Sequence, residues 1–423
     1  HLLEYERYAE LQIRPTQKKV RHRFPLPGKW TPENPPRAFS HFSSFGCPEP
    51  CTFCCSPAIT GRRWKAIPGK ELAEEIALRT DSAAVPASRG ARLWGAYRMR
   101  LKRRRLLWRA LRSRHQLKAP TRPAIPRDGV LAFVVLRNES ARLPYFLDHY
   151  RDLGVAHFLM IDNGSDDGST EMLAAQPDVT LWQTSASYRA SRFGLDWLNW
   201  LLWRHGHGRW CLTVDADELL VYDQMETRKL PALTDQLERK ARKGFGTLML
   251  DMFPKGPLGA QFYAPGQDPA QVLDWFDPAP YRAVRQWPMN NLWVQGGARE
   301  RVFFADRPTQ SPTLNKIPLI HWHRRYVYVN STHSLLPPAL NDIYDGPGGQ
   351  TASGVLLHSK FLPEIIAKSR QEKARGQHFH NPAQFDGYYD QIADAPDLWH
   401  ADARRYTGPA DLEDCNLMRS PWA

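Results

Sequence analysis

An Asp-x-Asp stands directly after an apolar run in Trp210-Cys211-Leu212-Thr213-Val214-Asp215-Ala216-Asp217-Glu218. Two carboxylates at the end of a buried strand can hold a divalent cation against a diphosphate. Oxygen ligands suit Mg2+ or Mn2+, and Mg2+ in particular is held by one or two carboxylates together with substrate phosphates. That is the equipment for moving a sugar off a nucleoside diphosphate. Two earlier apolar runs also break off into polar residues, at Leu136-Arg137-Asn138-Glu139 and at Asp162-Asn163-Gly164-Ser165-Asp166-Asp167-Gly168-Ser169. Acidic residues after strands often only cap the next helix, and Asp166 or Ser169 could serve so. After Asp217 the chain instead continues apolar through Leu219, Leu220 and Val221, with no amphipathic helix to cap.

Further chemistry-bearing residues lie downstream. The strand-like run Thr247 to Met252 carries Asp251, just before Pro254-Lys255-Gly256. Inverting sugar transfer needs a carboxylate to take the acceptor's hydroxyl proton, which makes Asp251 the candidate base; a turn former before a Pro-Gly loop is the alternative. Gly296-Gly297-Ala298-Arg299-Glu300-Arg301 supplies guanidiniums suited to bidentate phosphate contacts, and Arg299 is the one assigned to the donor. His358 ends the run Gly354-Val355-Leu356-Leu357. The pairs His321/His323 and His378/His380 have strand-like spacing but no Cys or carboxylate at zinc spacing, and read as ordinary polar positions.

These residues need elements to place them. Val130 to Leu136 is continuously apolar, as in a strand buried on both faces of a parallel sheet. Leu143, Phe146, Leu147, Tyr150 and Leu153 follow at near-helical spacing, closing at Gly154. Strands are then expected at 157–161, 179–182 and 210–214, with helices at 169–175 and from Phe193 to Leu202 between them. A βαβαβαβ order predicts a mostly parallel sheet flanked by helices, with ligands at the carboxyl ends of its strands. All three polar motifs sit there.

Taken together, residues 129–423 resemble the family 2-like glycosyltransferases of the GT-A fold, in particular the bacterial branch with Arg-Asn-Glu after the first strand and Asp-Asn-Gly-Ser after the second. The resemblance implies an α/β nucleotide-diphospho-sugar transferase using Mn2+ or Mg2+. It implies that Arg137, Asn138 and Glu139 border the base and ribose, and that Asp162 takes the imide edge of a uracil. Asn163 stands where many relatives carry Asp, which leaves uridine against guanosine open. Asp215 would contact ribose or metal and Asp217 the metal, and His358 resembles the late His that completes the metal shell or meets the diphosphate. A UDP-sugar is the expected donor, a glycan, lipid or protein hydroxyl the acceptor, and inversion the expected outcome.

The N-terminal segment carries a different signature. Cys47-x3-Cys51-x2-Cys54, with Phe53 before the third Cys, resembles the radical S-adenosylmethionine motif, whose three thiolates hold a 4Fe–4S cluster. The resemblance spans only residues 1–80, about one βα unit, and one unit cannot bury its own apolar faces. The expected organisation is therefore a partial βα fragment at 1–80 with at most a vestigial cluster, a basic helical linker at 81–127, and a GT-A domain at 128–423. Met99 is a candidate first residue of the transferase proper. Two rival functions follow: a radical S-adenosylmethionine enzyme, against which the missing barrel weighs, and a non-catalytic sugar-nucleotide binding module, against which the intact Asp-x-Asp weighs.

Charge sharpens the division. The net charge is +13, yet Ser82 to Arg127 holds fourteen Lys and Arg and no acid, so the remainder is near neutral. Within it, 92–118 mixes Leu93, Tyr97, Leu101, Leu107, Trp108 and Leu111 with arginines. Such a segment reads as a membrane-surface helix or as a helix packing its apolar side on the catalytic domain. No nucleic-acid partner is expected, because no recognised nucleic-acid fold accompanies the charge. No apolar run approaches the ~20 residues of a membrane span. Clustered rather than paired Cys suggest a reducing compartment, which with a nucleotide-sugar donor points to the cytoplasm or the inner membrane face.

Overall fold

The computed structural model describes residues 44–45, 65–66, 88–118, 125–369 and 382–422. The chain falls into two units, His1–Arg79 and Thr80–Ala423. In the first, Ser44–Phe45 pairs antiparallel with Lys65–Ala66. The iron–sulfur candidates Cys47, Cys51 and Cys54 and the pair His378/His380 lie outside the described residues.

The second unit opens with a 25-residue helix, α1 (Arg89–Ser113), capped by the Ser88 hydroxyl on the Ala91 amide. Then come β1 (Val130–Leu136), α2 (Leu143–Asp152), β2 (Val155–Asp162), α3 (Ser169–Ala174), β3 (Val179–Gln183), α4 (Leu195–His205) and β4 (Trp210–Thr213). The chain turns at Asp215-Ala216-Asp217 into β5 (Glu218–Val221), followed by α5 (Leu230–Arg239) and β6 (Gly244–Asp251). A hairpin of β7 (Tyr281–Gln286) and β8 (Asn291–Gly296) leads to α6 (Gly297–Phe303), β9 (Asn315–His321) and β10 (Ser353–His358).

Eight strands form one sheet in the order β3-β2-β1-β4-β9-β6-β10-β5. Six run one way; β9 and β5 run against them. The result is a mixed α/β fold around a large, mostly parallel sheet flanked by helices. Alternation along β1 shows how both faces are covered. Val130, Ala132 and Val134 face the core that holds α2 and α5, whereas Leu131 and Phe133 face the core that holds α4. Burial on both sides is what a continuous apolar strand demands.

Sequence pattern placed β1 to β4 and their helices within a few residues, but not β5 and β9. Both are antiparallel insertions whose partners are far away in sequence, so nothing local marks them. Their positions matter, because β10 lies between β6 and β5. In that register His358 is level with Asp251 on one side and with Glu218 on the other.

Candidate active site

Three adjacent strand ends thus bring Asp251, His358 and Glu218 into one row, with the Asp215–Asp217 turn feeding the last of them. His358 sits between two carboxylates. Its Nδ1 is 2.6 Å from Asp251 Oδ1, and its Nε2 is 3.1 Å from Asp217 Oδ2. Asp251 is itself gripped by Arg299, with Nε 2.9 Å from Oδ2 and Nη2 2.5 Å from Oδ1. Burial alone would raise the Asp251 carboxyl; Arg299 and His358 outweigh it and hold it well below the usual range. Burial would likewise lower His358, but Asp217 and Asp251 raise it instead. Asp217 is also held well below the usual range, its own burial penalty being exceeded by His358, Arg142 and Lys360.

Positive charge collects beside Asp217. Arg142 is buried, donating to Glu139 Oε2 at 2.5 Å and to the Ser359 carbonyl at 3.3 Å, and its Nε has no hydrogen-bond partner among the described residues. Lys360, two residues past His358, is pushed down to about 8 by burial and by Arg299 nearby. The Asp217 carbonyl accepts from the Ser359 amide at 2.8 Å, which locks the turn to the end of β10. On the other side of the turn, Lys316 from β9 is buried between Asp215 (3.0 Å) and Glu218 (2.8 Å). An ammonium buried with two carboxylates stays charged, and those partners hold Lys316 above its ordinary value despite its desolvation.

The first two loops are joined to each other. Asn138 and Asp166 exchange hydrogen bonds of 2.8 and 2.9 Å, and the amides of Asn138, Glu139 and Ser140 donate to Ser165, Ser169 and Asp167. Asp162 is buried and committed to its own loop, accepting from the Gly164 and Ser165 amides and from the Ser165 and Thr170 hydroxyls. Asn163 is likewise buried, donating to the Thr184 and Ala186 carbonyls, while its own carbonyl takes Arg137 at 3.3 Å. Glu139 is paired with Arg142 and with Lys368. Arg142 therefore links the two loops to the Asp217 turn.

The structure thus gathers Asp217, His358, Asp251 and Arg299 into one cluster, with Asp215 at its edge through Lys316, and gathers Arg137, Asn138, Glu139, Asp162 and Asn163 into another. Two sequence expectations take a different form. A carboxylate clamped by a guanidinium and an imidazole is a poor proton acceptor, so the geometry suits Asp251 to positioning rather than to general-base work. Arg299 gives its Nε–Nη2 edge to Asp251, so that edge is not available to a phosphate. Arg142, Lys316 and Lys360 had not been singled out. Only Lys316 carries a signal, as a lone lysine directly before the apolar run of β9, where a charge must find partners.

The donors fit a small divalent ion. Two ligands at adjacent corners of an octahedron with bonds of ~2.1 Å lie ~3 Å apart, and Asp217 Oδ2 and His358 Nε2 are 3.1 Å apart. With Nδ1–H given to Asp251, a metal ion taking the place of the Nε2 proton would be bound through Nε2, the carboxylate–histidine arrangement that metal-binding imidazoles use. The side chains of Asp215 and Asp217 are 53% and 28% exposed, so a phosphate-bound ion could reach them. Among the described residues, no three His, Cys, Asp or Glu side chains form a metal cage of their own.

No family model and no curated protein matches the chain. Among solved structures, it is similar to the mannosyltransferase PcManGT from Pyrobaculum calidifontis in complex with GDP-Man and Mn2+. Identity is 17% over 74% of this chain and 81% of that one, with a TM-score of 0.26. It is also similar to a Bacillus anthracis protein provisionally assigned as a glucose-1-phosphate thymidylyltransferase, in complex with a sucrose. There the identity is 10% over 68% of this chain and 94% of that one, with a TM-score of 0.23. At such TM-scores neither likeness bears on donor or acceptor.

Proposed function

We propose that this chain is a metal-dependent glycosyltransferase of the GT-A type, moving a sugar from a nucleotide-diphospho-sugar to a hydroxyl of a glycan, lipid or protein. A UDP-sugar is the donor we put first. The observation that carries this reading is the row Asp217–His358–Asp251–Arg299, in which Asp251 and His358 end adjacent parallel strands, Asp217 stands in the turn before β5 and Arg299 comes from α6. Asp217 and His358 would hold Mn2+ or Mg2+, with Asp215 at the border of metal and ribose. Such an ion, when bound, supplies Lewis-acid neutralisation of the departing diphosphate and a template for it.

The remaining work falls to the chain's own groups. Asp251, fixed by Arg299, keeps the His358 ring oriented and its Nδ1 protonated. Arg142 and Lys360 place positive charge where the diphosphate's negative charge grows, inside a partly dry site where such charges count for more than in water. The loops at 136–139 and 162–167 border the nucleoside. Because Asp162 already accepts from its own loop, it holds that loop's shape, and contact with the base falls to Arg137 and to loop backbone. Calorimetry of UDP binding with and without Mn2+ tests the proposal: binding that does not need the ion would overturn it.

A further inference from the structure

The helix α1 has two apolar faces, and the fold uses only one. Its buried residues are Gly95, Met99, Leu106, Ala110 and Ser113. They pack onto the body of the unit: Gly95 lies so close to Trp287 that no side chain fits between them, and Arg109 pairs with Asp196 of α4 at 2.7 Å. Met99 and Leu106 join the cluster around Val327 and Leu336. At roughly 100° per residue these five positions occupy an arc of roughly 60°. On the opposite side, within an arc of roughly 100°, stand Leu93, Trp94, Tyr97, Leu101 and Trp108, which are 63%, 60%, 48%, 43% and 58% exposed. These are five of the six large apolar residues exposed among the described residues, so the apolar surface is concentrated on this one helix face.

The charge around that stripe is of one sign. The helix holds nine arginines, one lysine and no acid. Among the described residues, Arg109 is the only one of these ten in an ion pair. By the same rotation Arg98, Arg105 and Arg112 fall along one margin of the stripe, Arg89 and Arg100 along the other, and Arg104 between Leu93 and Tyr97. Arg112 lies over the Trp108 ring at 5.2 Å, and Trp94 stacks with Tyr97 at 5.7 Å. No helix among the described residues is long and apolar enough to cross a membrane. Tryptophan, tyrosine and leucine rimmed by arginine are instead suited to the headgroup level of a bilayer, where the rings enter the apolar boundary and the guanidiniums meet lipid phosphates. A nucleic acid would use the arginines but leave the leucines in water.

We infer that α1 docks this protein flat onto an anionic phospholipid surface through Leu93, Trp94, Tyr97, Leu101 and Trp108. The inference does not depend on the proposed chemistry, and its test does not read activity. Flotation of the full chain with vesicles of phosphatidylcholine alone, and of phosphatidylcholine with phosphatidylglycerol, should show binding to the mixed vesicles only. Quenching of tryptophan by brominated acyl chains should accompany it. The variant Trp94→Ser/Trp108→Ser changes only exposed side chains and should keep the wild-type melting curve. It should bind mixed vesicles about tenfold more weakly and lose the acyl-chain quenching. Three results would overturn the inference: unchanged vesicle binding by the double variant, tighter binding of an RNA or DNA duplex than of mixed vesicles, or a tryptophan-dependent dimer in sedimentation that no longer binds vesicles.

Discussion

Asp251 illustrates how neighbours decide what a carboxylate does. At the end of an apolar strand it looks like a base, but Arg299 on one side and His358 on the other hold it ionised and immobile. In Asp251→Asn the amide would keep the volume but lose the charge that fixes the Nδ1 proton. Mn2+ affinity in the presence of UDP should fall by about 10–100-fold, as for other partners of metal-bound histidines. Unchanged Mn2+ affinity with transfer abolished would return Asp251 to the base role. At this scale the sequence was legible wherever an apolar run ended in a polar residue, as at Asp215, Asp217, Asp251 and His358. It was silent on Arg142 and Lys360, whose significance comes only from what distant segments bring beside them.

At the scale of elements, the Asp-x-Asp turn is held from behind by α2. The Tyr150 hydroxyl donates to the Glu218 carbonyl at 2.9 Å and accepts the Leu220 amide at 3.1 Å, while His149 Nε2 meets the Leu220 carbonyl at 3.1 Å. All three backbone groups belong to β5, the short edge strand that carries the turn into the site. Tyr150→Phe would strand two buried polar groups, at a cost of about 2 kcal/mol. Chemical denaturation should show that loss, and Mn2+-dependent UDP binding should weaken with it because the turn is released. Stability equal to wild type would mean that β5 is fixed by its pairing with β10 alone. The parallel half of the sheet was readable because strand and helix alternate with regular apolar spacing. β5 is not legible because four residues are too few to show a period, and the lysine in β9 only makes sense once its carboxylates are known.

For the whole molecule, the uneven charge and the boundary at Thr80 set the organisation. The basic segment at 81–127 was expected as a linker, and 89–113 of it is a helix packed on α4 within the second unit. Met99 is a buried residue in the middle of that helix. A chain beginning at Thr80 should therefore retain Mn2+-dependent UDP binding within about twofold. A chain beginning at Met99 loses the Gly95–Trp287 contact and the Ser88 cap, a change worth about 1 kcal/mol for the cap alone, and should melt at a lower temperature. Equal melting of both truncations would show that the first ten residues of α1 contribute nothing to the fold.

In the proposed reading Asp217 and His358 hold a divalent ion against a nucleoside diphosphate. That reading is tested most directly by calorimetry of UDP binding to the wild type with Mn2+, the wild type with a chelator, and Asp217→Ala with Mn2+. The Asp217 side chain is partly exposed at a turn, so the variant should still fold, melting somewhat lower because the contact with His358 is lost. Binding is expected in the first case, and weakening of about a hundredfold or more in the other two. Undiminished, Mn2+-dependent UDP binding by Asp217→Ala would contradict it, as would wild-type binding that the chelator leaves unchanged.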